Sequence, residues 1–235
     1  MTRAAPAFFL LLAAAAAAAP AAAQERRYSV TDFDRIQVDG PYEVVLTTGR
    51  SSAARAVGSS AAIDRITVEV QGQTLRIHAN RSAWGGYPGQ QQSGPVRIEV
   101  TTRDLSTATV IGAGSLSVDR ARGLRLALAV SGSGRISVGR LDTDNLTLTL
   151  RGSGRLTLAG TAKKVDANLV GSGDLDAVRL AADDVDLYSE TSGGVALTAR
   201  RSAKVRAAGV GEVTIGGGAA CTVTGVASGQ VHCGG

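Results

Sequence analysis

The stretch that decides the fold runs from Gly112 to Gly154: GAGSLSVDRARGLRLALAVSGSGRISVGRLDTDNLTLTLRGSG. Gly-x-Gly stands at 112–114, 132–134 and 152–154, and between the copies apolar and polar residues alternate. Leu116 and Val118 follow the first copy, and Leu126, Leu128 and Val130 lead into the second. Ile136 and Val138 then follow, and Leu146, Leu148 and Leu150 lead into the third. Period-two alternation places every second side chain on one face of a strand, one face inward and one outward.

Further along the chain, the motif returns as Gly171-Ser172-Gly173, Ser192-Gly193-Gly194, Gly209-Val210-Gly211 and a degenerate Ser228-Gly229. The corner glycines are Gly114, Gly134, Gly154, Gly173, Gly193, Gly211 and Gly229, at spacings of 20, 20, 19, 20, 18 and 18 residues. A unit of two short strands cannot bury its own apolar face. Stacked at about 4.8 Å, each strand lies beside its equivalent in the next unit and the inward residues form columns. The sequence therefore predicts an all-β, parallel β-solenoid with coils of 18–20 residues. Leu128, Leu148, Ala167, Leu187 and Val205, each six residues before its corner glycine, are expected to form one buried column. Glycine at the corner accepts positive φ and lets neighbouring coils approach.

Towards the N-terminus the pattern loosens. Phe33, Ile36 and Val38 precede Gly40, with Val44 and Leu46 after it; Ile66, Val68 and Val70 precede Gly72, with Leu75 and Ile77 after it. Residues 24–105 read as the same coils with less regular turns, and 106–235 as the regular array, in a single domain covering 24–235. Residues 1–23 read as a secretory signal peptide: Arg3, an apolar run from Ala7 to Ala19, Pro20, and an Ala21-Ala22-Ala23 cleavage site.

Composition narrows the function classes. Aromatics are 3% of the chain against 44% hydrophobic residues, so the core must be built from small and branched aliphatic side chains. The formal net charge of +5 is dispersed, without the clustered basic footprint and interleaved aromatics of a nucleic-acid binder. No apolar stretch beyond the leader suits a membrane span.

The opening Phe33-x-x-Ile36-x-Val38-x-Gly40-Pro41-x-x-Val44, followed by repeated Gly-Ser-Gly corners, resembles the bacterial family described as "putative auto-transporter adhesin, head GIN domain". The resemblance implies an exported β-solenoid with an adhesive role. An autotransporter's translocation barrel needs strands with aromatic girdles. The chain shows no segment of that kind, so the resemblance implies a passenger-like head.

Candidate sites are few. His78 and His232 fall out of phase with inward Ile77 and Val231 and should face solvent; neither sits in a catalytic or metal-binding motif. The glycine corners open strands, not helices, so they lack the helix N-terminus of a phosphate loop. Asp174 suggests a calcium β-roll, but its equivalents one and two coils earlier are Arg155 and Arg135, which repel a cation. No metal or cofactor is expected. Arg135 and Arg155 should stack about 4.8 Å apart with Arg151 close by, either gripping an anion or splaying into water. The segment Asn80–Pro95 holds Trp84 and Tyr87 among glycines and glutamines, and is either a ligand-contacting loop or a tolerated insertion. Cys221 lies eight residues before Gly229 and Cys233 four after it, the registers of inward Leu146 and Leu158. The repeat therefore predicts a Cys221–Cys233 disulfide closing the last coil.

The expected function is an exported, non-catalytic binding or adhesin-like module, with a surface glycan or envelope protein as partner. The alternative is a structural envelope protein stacking through its solenoid ends, as a homo-oligomer. A carbohydrate-active enzyme would need clustered carboxylates on one face, and Asp and Glu are spread.

Overall fold

The computed structural model describes residues 24–80, 96–225 and 231–234. Among these the chain is a parallel β-solenoid. In its regular part, β9 (Ser115–Gly132), β10 (Arg135–Gly152), β11 (Arg155–Gly171) and β12 (Asp174–Thr191) are each a whole coil. They pair in parallel along nearly their full length, in the register the glycine spacing dictates. Leu128 lies opposite Leu148, then Ala167, Leu187 and Val205 follow, all buried. Burying a leucine fully stabilises by roughly 1.5–3 kcal/mol, and each column repeats that gain at every coil.

Each coil has two corners. At the first, both glycines of the motif pack against the previous coil, and the leading one also takes a left-handed backbone. Gly132, Gly152 and Gly171 take positive φ (114°, 107° and 123°). The corner glycines Gly134 and Gly154 do not; there a Cβ would meet the carbonyl oxygen of the previous coil at 2.7 and 2.5 Å. The expectation gave positive φ to the corner glycine; the structure places it on the leading glycine, while close approach falls on both, since a Cβ on Gly132, Gly152 or Gly171 would meet a carbonyl oxygen of the previous coil at 2.7, 2.6 and 2.6 Å. In the fifth copy Thr191 stands where the first glycine would be, and its buried hydroxyl donates to the Gly173 carbonyl and accepts from the Gly193 amide, both at 3.0 Å. The second corner lies inside the continuous strand. Register slips there between Val138 and Leu141 and between Thr157 and Ala159, and the chain bends round buried Leu141 and Leu180.

The solenoid thus has two long faces. The first carries the opening halves of β9–β12 and of β13 (Val195–Ala207), then β14 (Val213–Gly216) and β16 (Val231–Cys233). The second carries their closing halves, then β15 (Ala220–Thr224).

The N-terminal part departs from the expectation of simple, less regular coils. The strands β2 (Arg35–Asp39) and β3 (Glu43–Thr48) form a coil around Gly40, and β6 (Thr74–Ala79) and β7 (Arg97–Thr102) lie beside them on one side. On the other side lie β8 (Thr107–Gly112) and β9. Spatial order is therefore not chain order. Antiparallel pairs return the chain: β4 (Ala53–Gly58) runs against β7, β1 (Gln24–Tyr28) against β4, and β5 (Ile66–Gln71) against β6. A single-turn helix, α1 (Ser60–Ile63), is capped by the Ser59 hydroxyl and buries Ala62 and Ile63 at this end. One contiguous apolar core runs from Phe33 to Ile215. No helix among the described residues is long and apolar enough to cross a membrane.

Candidate functional site

The outward face of β1, β4, β7 and β3 is hollowed. Ladder pairing sets Ala53 opposite Thr101 and Thr101 opposite Thr47, so small side chains make a floor. Long ones stand around it: Arg27 is opposite Arg55, Arg55 opposite Glu99, and Glu99 opposite Val45. The result is a concavity of about 580 Å³ whose lining includes Arg27, Arg50, Arg55 and Arg97 against one acid, Glu99. Period two puts Arg55 and Arg97 outward, because Ala54, Ala56, Ile98 and Val100 fill the inward positions of the same strands, and Arg27 shares the face of Arg55, its ladder partner.

The arginines are held by carboxylates at the rim. Arg55 reaches Glu99 at 2.5 Å and Glu25 at 3.4 Å. Arg97 reaches Glu43 at 3.5 Å and Glu99 at 3.6 Å, and Arg27 reaches Glu25 at 3.0 Å. The hydrogen bond from Arg27 holds the Glu25 carboxyl below its ordinary value, and Glu99 raises the Arg55 guanidinium above its own. Arg50 makes no ion pair among the described residues. The hollow is therefore a cationic surface with one guanidinium to spare. Tyr28 lies at its edge, its hydroxyl buried beside the Arg26 guanidinium.

The residues singled out in the sequence fall elsewhere. Arg135 and Arg155 are ladder neighbours on the first face and both are exposed. Arg155 is spoken for: its guanidinium donates to Asp174 one coil on, at 2.7 Å, and Asp174 also accepts from the Gly194 amide. Arg155 first, and that amide after it, hold the Asp174 carboxyl below its ordinary value. Arg151 is exposed beyond the corner, between Ser131 and Val170 of the flanking coils. Trp84, Tyr87 and Gly229 lie outside the described residues, as do residues 1–23. His232 is exposed; His78 is half-buried, with Nε2 3.3 Å from Glu69.

Cys221 and Cys233 are disulfide-bonded, with Cα atoms 6.2 Å apart. Their register is the expected one: Cys221 lies opposite Ala203, and Cys233 opposite Ile215, both buried. Inward registers do not bury them fully, however, since no described coil covers the last one; Cys233 is exposed and Cys221 half-buried.

Three acids of the regular coils pair closely with bases of the same or a neighbouring coil: Asp144 with Lys163 at 2.8 Å, Asp166 with Lys164 at 3.0 Å, and Asp184 with Arg201. The hydrogen bonds from Arg201 and Ser202 hold Asp184 down at about 2. No group of three or more metal-ligating side chains occurs among the described residues.

A parallel β-solenoid carrying a cationic hollow on one face is a scaffold that presents surfaces, with its charges fixed along the coil stack. The chain belongs to the family described as "putative auto-transporter adhesin, head GIN domain", which matches residues 32–219. Three solved structures share the fold at low identity. A protein of Bacteroides fragilis, described as a putative adhesin, is 21% identical, with 90% of this chain and 96% of that one covered at a TM-score of 0.79. One of Parabacteroides distasonis, described as a putative lipid binding protein, is 19% identical over the same shares at 0.72. A putative adhesin of Parabacteroides merdae is 18% identical, again over 90% and 96%, at 0.70. A comparison with curated proteins gave no match.

Proposed function

We infer that this chain is an exported, non-catalytic binding module of the adhesin type, whose ligand is an anionic surface glycan. The observation that carries the reading is the arginine-lined hollow on β1, β4, β7 and β3. Guanidinium groups match carboxylates and sulfates with paired, charge-assisted hydrogen bonds. A shallow open hollow suits a polymer lying across it. Export is supported by the leader-like residues 1–23 and by the disulfide, which persists in oxidising compartments. The absence of catalysis is supported by the side-chain pairing: Asp144, Asp166 and Asp184 of the regular coils are tied to bases as fixed charges, Asp184 foremost.

The segment carrying Trp84 and Tyr87 is a second contact element in this proposal. In sequence it precedes Arg97 of the hollow, and tryptophan and tyrosine are side chains on which sugar rings stack. Arg135 and Arg151 are secondary, because Arg155, the neighbour that would complete an anion clamp, is neutralised by Asp174.

The test is a glycan array with the exported chain, comparing uronic-acid and sulfated glycans with neutral ones. Arg50→Ala with Arg27→Ala should weaken the anionic hits about tenfold or more, roughly 1.4 kcal/mol, while Arg135→Ala leaves them unchanged. Deletion of Ser82–Ser93 should weaken them without lowering the melting temperature. Equal binding to neutral glycans, or no effect of the double substitution, overturns the reading.

A further inference from the structure

The two ends of the solenoid are finished differently. At the N-terminal end, edge strand β1 carries Glu25, Arg26 and Arg27 among its five residues, and α1 lays Ile63 into the core. Charges on an edge strand and a covering helix are the usual means of blocking further strand pairing. The C-terminal end has neither. β15 pairs only with β13, and β16 only with β14, among the described residues. β15 is Ala220-Cys221-Thr222-Val223-Thr224 and β16 is Val231-His232-Cys233, with no acid, lysine, arginine or proline.

The core also runs out there. Val223 continues the buried column of Leu128, Leu148, Ala167, Leu187 and Val205, yet it is 45% exposed. Val231 ends the parallel column of Val195 and Val213 and is half-buried. Among the described residues an inward-facing apolar layer is thus presented at the end, flanked by two strand edges with no partner.

We propose that this end is a self-association surface, on which a second copy of the chain docks tail to tail. A single extended peptide would satisfy one edge and leave the other. Covering β15, β16 and the apolar layer between them takes a two-stranded end of the same width. The N-terminal end of another copy does not fit, because β1 brings Arg26 onto that layer and Glu25 and Arg27 beside it on the outward side. The C-terminal end does fit. A two-fold axis across the solenoid axis sets β15 antiparallel to its own copy, with threonines and small apolar residues facing their like. The columns of the two molecules then become continuous. Each copy keeps its hollow at the far end, so the dimer binds at two places.

The contact is smaller than a standard interface and is correspondingly weak. Sedimentation equilibrium of the exported chain, without ligand, should show a monomer–dimer equilibrium with a Kd in the range of roughly 10 µM to 1 mM. Val223→Lys, which sets like charges across the axis, should raise that Kd at least about tenfold. Thr222→Lys, on the outer side of β15, should do the same and carries the test if Val223→Lys fails to fold, as read by circular dichroism. Arg27→Glu, at the opposite end, should leave the Kd unchanged. A chain that stays monomeric at millimolar concentration overturns the proposal. So does a dimer indifferent to both lysines, or growth beyond two copies, which would mean head-to-tail stacking.

Discussion

At the scale of single residues the solenoid is held by what glycine lacks. A Cβ on Gly154 would sit 2.5 Å from the Gly134 oxygen, a backbone atom that cannot swing away. Gly154→Ala should therefore cost about 3 kcal/mol, at the upper end of overpacking penalties. Gly194→Ala, where nothing lies within 4 Å, should change stability by less than about 0.5 kcal/mol. Urea unfolding of the two variants checks the contrast. The charges between coils make a different prediction. Asp184 titrates at about 2 in the folded chain, below its ordinary 3.8. A lowered carboxyl stabilises the fold fully above its unfolded value, and that contribution fades as pH falls through the folded one. The melting temperature of the chain should exceed that of Asp184→Asn at neutral pH, and the gap should close between about pH 4 and pH 2. A gap that is constant with pH would mean that the Arg201 and Ser202 contacts do not depend on the charge.

At the scale of elements the informative object is the column. Leu148 lies between Leu128 and Ala167 and is fully buried. Leu148→Asp puts an unpaired carboxylate there and should lose several coils cooperatively, at a cost of roughly 3–5 kcal/mol. Thr149→Asp, one residue on and facing outward between Ala129 and Asn168, should be tolerated. A Leu148→Asp chain as stable as the parent would overturn the register. That register was legible in the sequence because successive coils contact one another at a fixed offset, so every inward residue is predicted by the one about twenty positions earlier. The antiparallel strands β1, β4 and β5 were not legible. Their partners are set by where the chain returns after α1 and after the β5–β6 turn, and period-two alternation is identical for parallel and antiparallel pairing. The hollow was missed for the same reason. Arg27, Arg55 and Arg97 are far apart in sequence and meet only through β4's antiparallel pairing on both sides. Arg135 and Arg155 lie side by side at the register the spacing predicts, and the charge that occupies Arg155 is Asp174, one coil on at the same register.

At the scale of the whole molecule, stability is a sum over neighbouring coils, and the last coil has only one described neighbour. The Cys221–Cys233 link spans 12 residues, and the chain-entropy argument gives it on the order of 3 kcal/mol. Reduction should act locally: amides of β15 and β16 exchange faster, while those of β10 and β11 keep their protection. Uniform loss of protection would mean that the stack unfolds as one unit. The direction of the hydrogen bonds has a mechanical consequence. In stacked coils the inter-strand bonds point along the solenoid axis, so tension on the C-terminus peels a coil bond by bond and does not shear a whole ladder at once. Each coil of 18–20 residues releases about 60–70 Å of slack when it lets go. Under load such a module yields in small, repeatable steps, like a brake paying out line. The disulfide joins β15, which closes one coil, to β16, which opens the next, so it shortens the first step and leaves the force of the others unchanged.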